Sequence, residues 1–150
     1  MARQLELPSD EGVTLIDSHG KTMEKKDTMN AGVSGNYLSS EGLSGESVWG
    51  TRARWMSLTG IIGAENVSVV ICDHPKNPGY PTYWMARGYG LFAANPLGWH
   101  DFTGGKKNFD FTIKPGKSAT FRYRLIINSG TFLTPSEINR YADEFSKEYK

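Results

Sequence analysis

The stretch from Asp73 to His100, reading DHPKNPGYPTYWMARGYGLFAANPLGWH, concentrates the side chains of this chain that can do chemistry. Pro75, Pro78 and Pro81 fix an irregular loop, and Tyr80, Tyr83, Trp84, Tyr89 and Phe92 accompany Arg87 and the Asn95-Pro96 pair. Aromatic faces with a few directed polar groups suit a sugar ring, whose C–H face packs on a π surface while its hydroxyls seek hydrogen-bonding partners. His74 follows Asp73 at the end of an apolar run, where an imidazole can act as acid or base near neutral pH. The expected roles are therefore His74 as acid or base and Asp73 as its orienter or a hydroxyl acceptor. Arg87 is expected to clamp a ring oxygen or carboxylate, with Tyr89 and Asn95 completing the cleft.

A second cluster, ESVWGTRARW from Glu46 to Trp55, adds Trp49 and Arg52, which could line a cleft by cation–π stacking and hydrogen bonding. Both clusters admit a packing role as well. Aromatics at alternating strand positions are more often core than ligand platforms, which applies to Tyr83, Trp84 and Phe92. A buried Arg87 would need a carboxylate such as Asp73 or Glu46. His19 and His100 fall in turn or loop sequence and read as surface residues.

Several chemistries are excluded by what the sequence lacks. The three histidines are scattered and Cys72 is the only cysteine, so no metal-ligand spacing occurs and no metal or other cofactor is expected. No G-x-S-x-G, G-x-x-x-x-G-K or H-E-x-x-H motif is present. Seventeen basic and sixteen acidic residues nearly cancel, which removes the electrostatic footprint of a nucleic-acid binder. No apolar run approaches the ~20 residues that span a bilayer, so membrane insertion is not expected.

The elements that must position these residues are mostly strands. The 150 residues, 38% hydrophobic and 22% charged, suit one globular domain. Strand patterns occur at 13–17, 48–62, 67–73, 81–92, 108–114 and 118–128. In the last two, Phe109, Phe111 and Ile113, then Ala119, Phe121, Tyr123, Leu125 and Ile127, alternate with polar residues and are expected to face the core. Lys114-Pro115-Gly116-Lys117 is a type II turn sequence that should join those two strands as an antiparallel hairpin. The Ser- and Gly-rich segment 30–46 is either a functional loop or short edge strands. Thr134-Pro135-Ser136-Glu137 carries a helix-start signature, and Ile138, Tyr141, Ala142, Phe145 and Tyr149 continue it as an apolar stripe, giving one helix over about 135–148. An all-β, antiparallel β-sandwich closed by a C-terminal helix is the expected fold.

The segments ESVWGTRARWMSLTG, VVICDHPKNPGYPTYWMARGYGLFAANPLG and FRYRLIINSG resemble the C-terminal part of a bacterial family labelled "methane oxygenase, PmoA-like", common in Bacteroidetes. The oxygenase part of that label needs membrane-spanning helices, which this sequence lacks. The resemblance implies a galactose-mutarotase-like supersandwich, or half of one, a carbohydrate-related role, and a periplasmic or extracellular location in longer exported proteins. It leaves open whether the chain is a fragment or a short member. Where the family often reads Tyr-Trp-His-Ala-Arg, this sequence has Tyr83-Trp84-Met85-Ala86-Arg87, and Met85 cannot transfer a proton. Two functions follow as expectations: a protein that binds or processes a sugar in a cleft of the sandwich, or a noncatalytic structural or interaction module. A pocket uniting His74, Arg87 and Tyr89 favours the first, and their dispersal or burial favours the second.

Overall fold

β4 (Trp55–Ile62) is the strand around which the chain is built, because its first four residues are buried on both faces. Trp55 and Ser57 point one way and Met56 and Leu58 the other, as the period of two requires. The computed structural model describes residues 3–8, 15–16, 22–23 and 32–149. Within them, β3 (Asn36–Ser39) pairs antiparallel with β4, β4 with β5 (Glu65–Asp73), and β5 with β8 (Tyr123–Ser129), giving a four-stranded sheet in the order β3-β4-β5-β8. β6 (Tyr83–Arg87) and β7 (Leu91–Asn95) form a separate antiparallel hairpin. A third, two-stranded sheet joins β1 (Leu15–Ile16) to β2 (Thr22–Met23).

The four-stranded sheet is covered differently on its two faces. On one, Trp84, Ala86, Phe92 and Ala94 of the hairpin pack with Tyr37, Met56, Leu58, Val48, Ala53 and Leu5. On the other, beyond the short helix α1 (Trp99–Phe102) in chain order, helix α2 (Pro135–Ser146) lays Ile138, Ala142 and Phe145 against Trp55, Val70, Cys72 and Ile126. The architecture is thus an antiparallel β-sandwich with a C-terminal helix, as the strand pattern and helix signature indicate.

α2 starts where its sequence says it should. Thr134 Oγ1 accepts the Glu137 N–H at 3.3 Å, and Glu137 Oε2 accepts the Thr134 N–H at 2.8 Å, a complete capping box with Pro135 inside the first turn. Polar clamps hold the helix on the sheet: Asn139 Oδ1 accepts from Trp55 Nε1 at 2.8 Å and from Arg54 at 2.6 Å, and Arg54 also pairs with Asp143. The helix ends at Ser146, two residues short of expectation.

Four expectations are corrected. Residues 48–54 are not strand: Gly45–Val48 is a 3-10 turn and β4 begins at Trp55. Residues 81–92 are not one strand, because the turn at Gly88-Tyr89-Gly90 folds them into β6 and the start of β7. Residues 108–122 make no ladder; only the turn between them forms, with Lys117 N–H donating to Lys114 C=O at 3.0 Å. β8 keeps its alternation but with the faces exchanged: Ile126 is under the helix, while Leu125 and Ile127 are 61% and 70% exposed. Register explains this, since Ile126 lies opposite Val70 on the face α2 covers, and the hairpin covering the other face reaches β3 and β4 more than β8. Segment 32–46 supplies the short edge strand β3. The turn at His19 and most of the expected strand 13–17 lie outside the described residues.

Candidate functional site

His74 and Asp73 sit at the end of β5, and both are absorbed by the fold. His74 is fully buried. Its Nε2 lies 3.1 Å from the Glu148 carbonyl oxygen, and its Nδ1 accepts the Lys76 N–H at 3.1 Å. Because Nδ1 accepts, Nε2 carries the proton and donates it to Glu148. Phe145 and Tyr149 meet the ring edge-on at 4.9 and 5.7 Å. Neither nitrogen is left for a substrate.

Asp73 faces a different set of partners. Oδ1 accepts from Asn77 Nδ2 and Oδ2 from the Thr82 N–H, both at 2.7 Å. Asn77 in turn donates to the Arg122 carbonyl and accepts the Arg122 N–H, so one buried amide ties the proline loop to the strand entering β8. Burial raises the Asp73 carboxyl above its ordinary range, with the Asn77 and Thr82 hydrogen bonds opposing the shift.

The remaining candidates lie elsewhere. Arg87 is five residues along an extended strand from Thr82, roughly 17 Å away at the usual rise. The outward face of the β6–β7 hairpin carries Tyr83, Met85 and Arg87 opposite Asn95, Ala93 and Leu91. Arg87 lies over the Trp49 ring at 3.9 Å, and Trp49 meets Phe102 edge-on. Phe102 stacks on Tyr83, which meets Trp99, and Trp99 stacks on Phe109. Asn95 Nδ2 points at Met85 Sδ at 3.2 Å while its Oδ1 accepts the Leu97 N–H. Arg52 stacks over Trp99 at 4.5 Å, but its N–H groups go to the carbonyls of Pro81, Gly79 and Tyr80 at 2.8–3.1 Å. Tyr89 is 68% exposed at the hairpin tip.

The structure therefore brings Trp49, Arg52, Arg87 and Asn95 onto one aromatic band and leaves His74 and Asp73 apart from it. Trp84 belongs to the core, hydrogen-bonded through Nε1 to the Ala53 carbonyl at 3.0 Å. Trp99, Phe102 and Phe109 are band members that sequence reasoning missed, because only the fold returns 99–109 to the hairpin. Among the described residues, Trp99 Nε1 is a buried side-chain donor without an acceptor. An open concavity of about 420 Å³ lined by Gln4, Val33, Ser34 and Ile61 contains none of the candidates. Among the described residues no three His, Cys, Asp or Glu side chains converge as metal ligands. No described helix is long and apolar enough to cross a membrane.

A second surface was not anticipated. Tyr123, Leu125 and Ile127 are 37%, 61% and 70% exposed on the face of β8 away from α2. They lie opposite Asp73, Ile71 and Val69 of β5, of which the last two only pack partly against the core. β8 also ends the sheet, and among the described residues nothing pairs with its outer backbone edge.

Residues 14–143 match the model of a family of unknown function, DUF6807, and the chain belongs to that family. Comparison with curated proteins and with solved structures gave no match.

Proposed function

We propose that this member of the family is a noncatalytic interaction module whose contact surface is the open face of β5 and β8. One observation carries the reading. His74, the best-placed acid or base in the sequence, has both ring nitrogens committed to backbone groups and its ring enclosed by the C-terminal aromatics, while Leu125 and Ile127 stand exposed. A general base must reach the proton it removes, and a fully buried ring bonded on both sides does not. Contiguous exposed apolar side chains, in contrast, mark places where proteins meet.

The double variant Leu125→Lys/Ile127→Lys tests the reading. Surface substitutions change stability by only about 0.5 kcal/mol, so this protein should keep its circular dichroism spectrum and unfolding midpoint while losing binding of the apolar dye bis-ANS. Unfolding of the variant, or no dye binding by the wild type, would overturn the reading.

A second reading keeps the carbohydrate role that the sequence resemblance implies, with the periplasmic or extracellular setting that accompanies it. Its support is the Arg87 guanidinium stacked on Trp49, with Asn95 further along the same outward hairpin face and Tyr89 exposed at the hairpin tip. Binding there would involve stacking and hydrogen bonding without His74. Calorimetry with neutral and acidic sugars tests it: a saturable signal lost in Arg87→Ala supports the reading, and silence across the set removes it.

A further inference from the structure

The edge of β8 is long and apolar on one face, and no described residue pairs with it. Sheet edges are normally blunted by outward lysines, prolines or bulges. β8 reads Tyr123-Arg124-Leu125-Ile126-Ile127-Asn128-Ser129, with none of these on its open face, and Arg124 is turned to the helix side, where it pairs with Glu148 and lies over the Phe145 ring. From these features we infer that the occupant of this edge is a second copy of the chain, added antiparallel about a two-fold axis through Ile126. The inference rests on the interaction-module reading and names its partner.

The sequence of β8 is self-complementary in that register. The axis places residue 125 opposite 127 of the other copy, 123 opposite 129, and 124 opposite 128. On the open face each Leu125 meets an Ile127, an apolar cross-strand pair of the kind that stabilises antiparallel sheets. On the helix face Ile126 meets itself and Arg124 meets Asn128, so no like charges oppose each other. Shifting the register by one residue would set open-face side chains against helix-face ones, which a two-fold axis normal to the sheet does not allow. A symmetric dimer requires this isologous arrangement, and it would join two four-stranded sheets into one of eight. Seven paired residues span about 24 Å, short of what a permanent interface needs, so the dimer is weak and depends on concentration.

Sedimentation equilibrium over a wide concentration range tests the inference with three variants. The wild type should shift from monomer to dimer as concentration rises. Leu125→Lys and Ile127→Glu alone should each weaken association at least tenfold, by setting a charge against an apolar partner. Leu125→Lys/Ile127→Glu together should restore it, because the register then sets each lysine against a glutamate of the other copy. A wild type that stays monomeric throughout, or a double variant no better than the singles, would overturn the inference. Failure of the module reading looks different, since it appears as an unfolded lysine variant or a dye-silent wild type rather than as a monomer.

Discussion

His74 and Glu148 are joined by a hydrogen bond of 3.1 Å between the imidazole Nε2 and the backbone carbonyl, across 74 residues of sequence. The Glu148 carbonyl belongs to the turn that follows α2, which ends at Ser146. His74 satisfies that carbonyl and packs edge-on against Phe145 and Tyr149. The side chain best suited to acid–base chemistry is in this way a splint between the end of β5 and the end of the helix.

Asp73 gives the fold a pH dependence of definite sign. Burial raises its folded pKa above the ordinary value of 3.8, so between those two values the native state binds more protons than the unfolded state. Stability from this group is complete below the unfolded pKa and is lost as pH rises through the raised folded pKa. Glu137 acts in the opposite sense, because its Thr134 hydrogen bonds lower its pKa. Subtracting the stability curve of Asp73→Asn from that of the wild type cancels Glu137 and isolates Asp73. The wild type's advantage over Asp73→Asn should shrink as pH rises across that window; a constant difference would contradict the burial argument.

Cys72 should be chemically silent in the native protein. It is fully buried between Trp55, Val70 and the helix, and burial pushes its thiol up to about 11 despite the nearby Arg124 and Arg54 charges. Since the thiolate is the nucleophile, labelling by a disulfide reagent should follow the rate of unfolding. Rapid labelling under native conditions would show that the helix face opens.

Arg52 is expected to matter for stability more than for binding. Its planar fork serves three consecutive carbonyls, those of Gly79, Tyr80 and Pro81, while its face covers Trp99. A lysine cannot reproduce that geometry. Arg52→Lys should therefore lower the unfolding free energy by about 1 kcal/mol, the net worth of hydrogen bonds to part-buried acceptors. A neutral effect would mean that the proline loop holds its shape unaided.

Local signals in the sequence suffice where the structure depends on chain neighbours. The helix follows from the Thr134-Pro135-Ser136-Glu137 start, and the Lys114–Lys117 turn forms with Gly116 at φ 71°. Pairing and sidedness are not local. The alternation through 123–127 shows that two faces differ, but only the register with Val70 and the position of α2 decide that Ile126 is the buried member. The arms 108–114 and 118–122 carry strand periodicity without a ladder, because a ladder needs a partner that periodicity does not specify. Residue type made His74 and Asp73 candidates for chemistry; what residue type does not show is that His74 bonds Glu148, 74 residues away, and that Asp73 accepts the Thr82 N–H across the proline loop.

The most direct test of the noncatalytic account is urea unfolding of the wild type beside His74→Ala. Removing the ring deletes two edge-on aromatic contacts and two hydrogen bonds, so the unfolding free energy should fall by about 3 kcal/mol with the m-value unchanged. A residue kept for chemistry behaves the other way, since active-site groups are commonly held at a cost to stability. A His74→Ala protein as stable as the wild type, or more so, would contradict the structural role and return His74 to the candidates for catalysis.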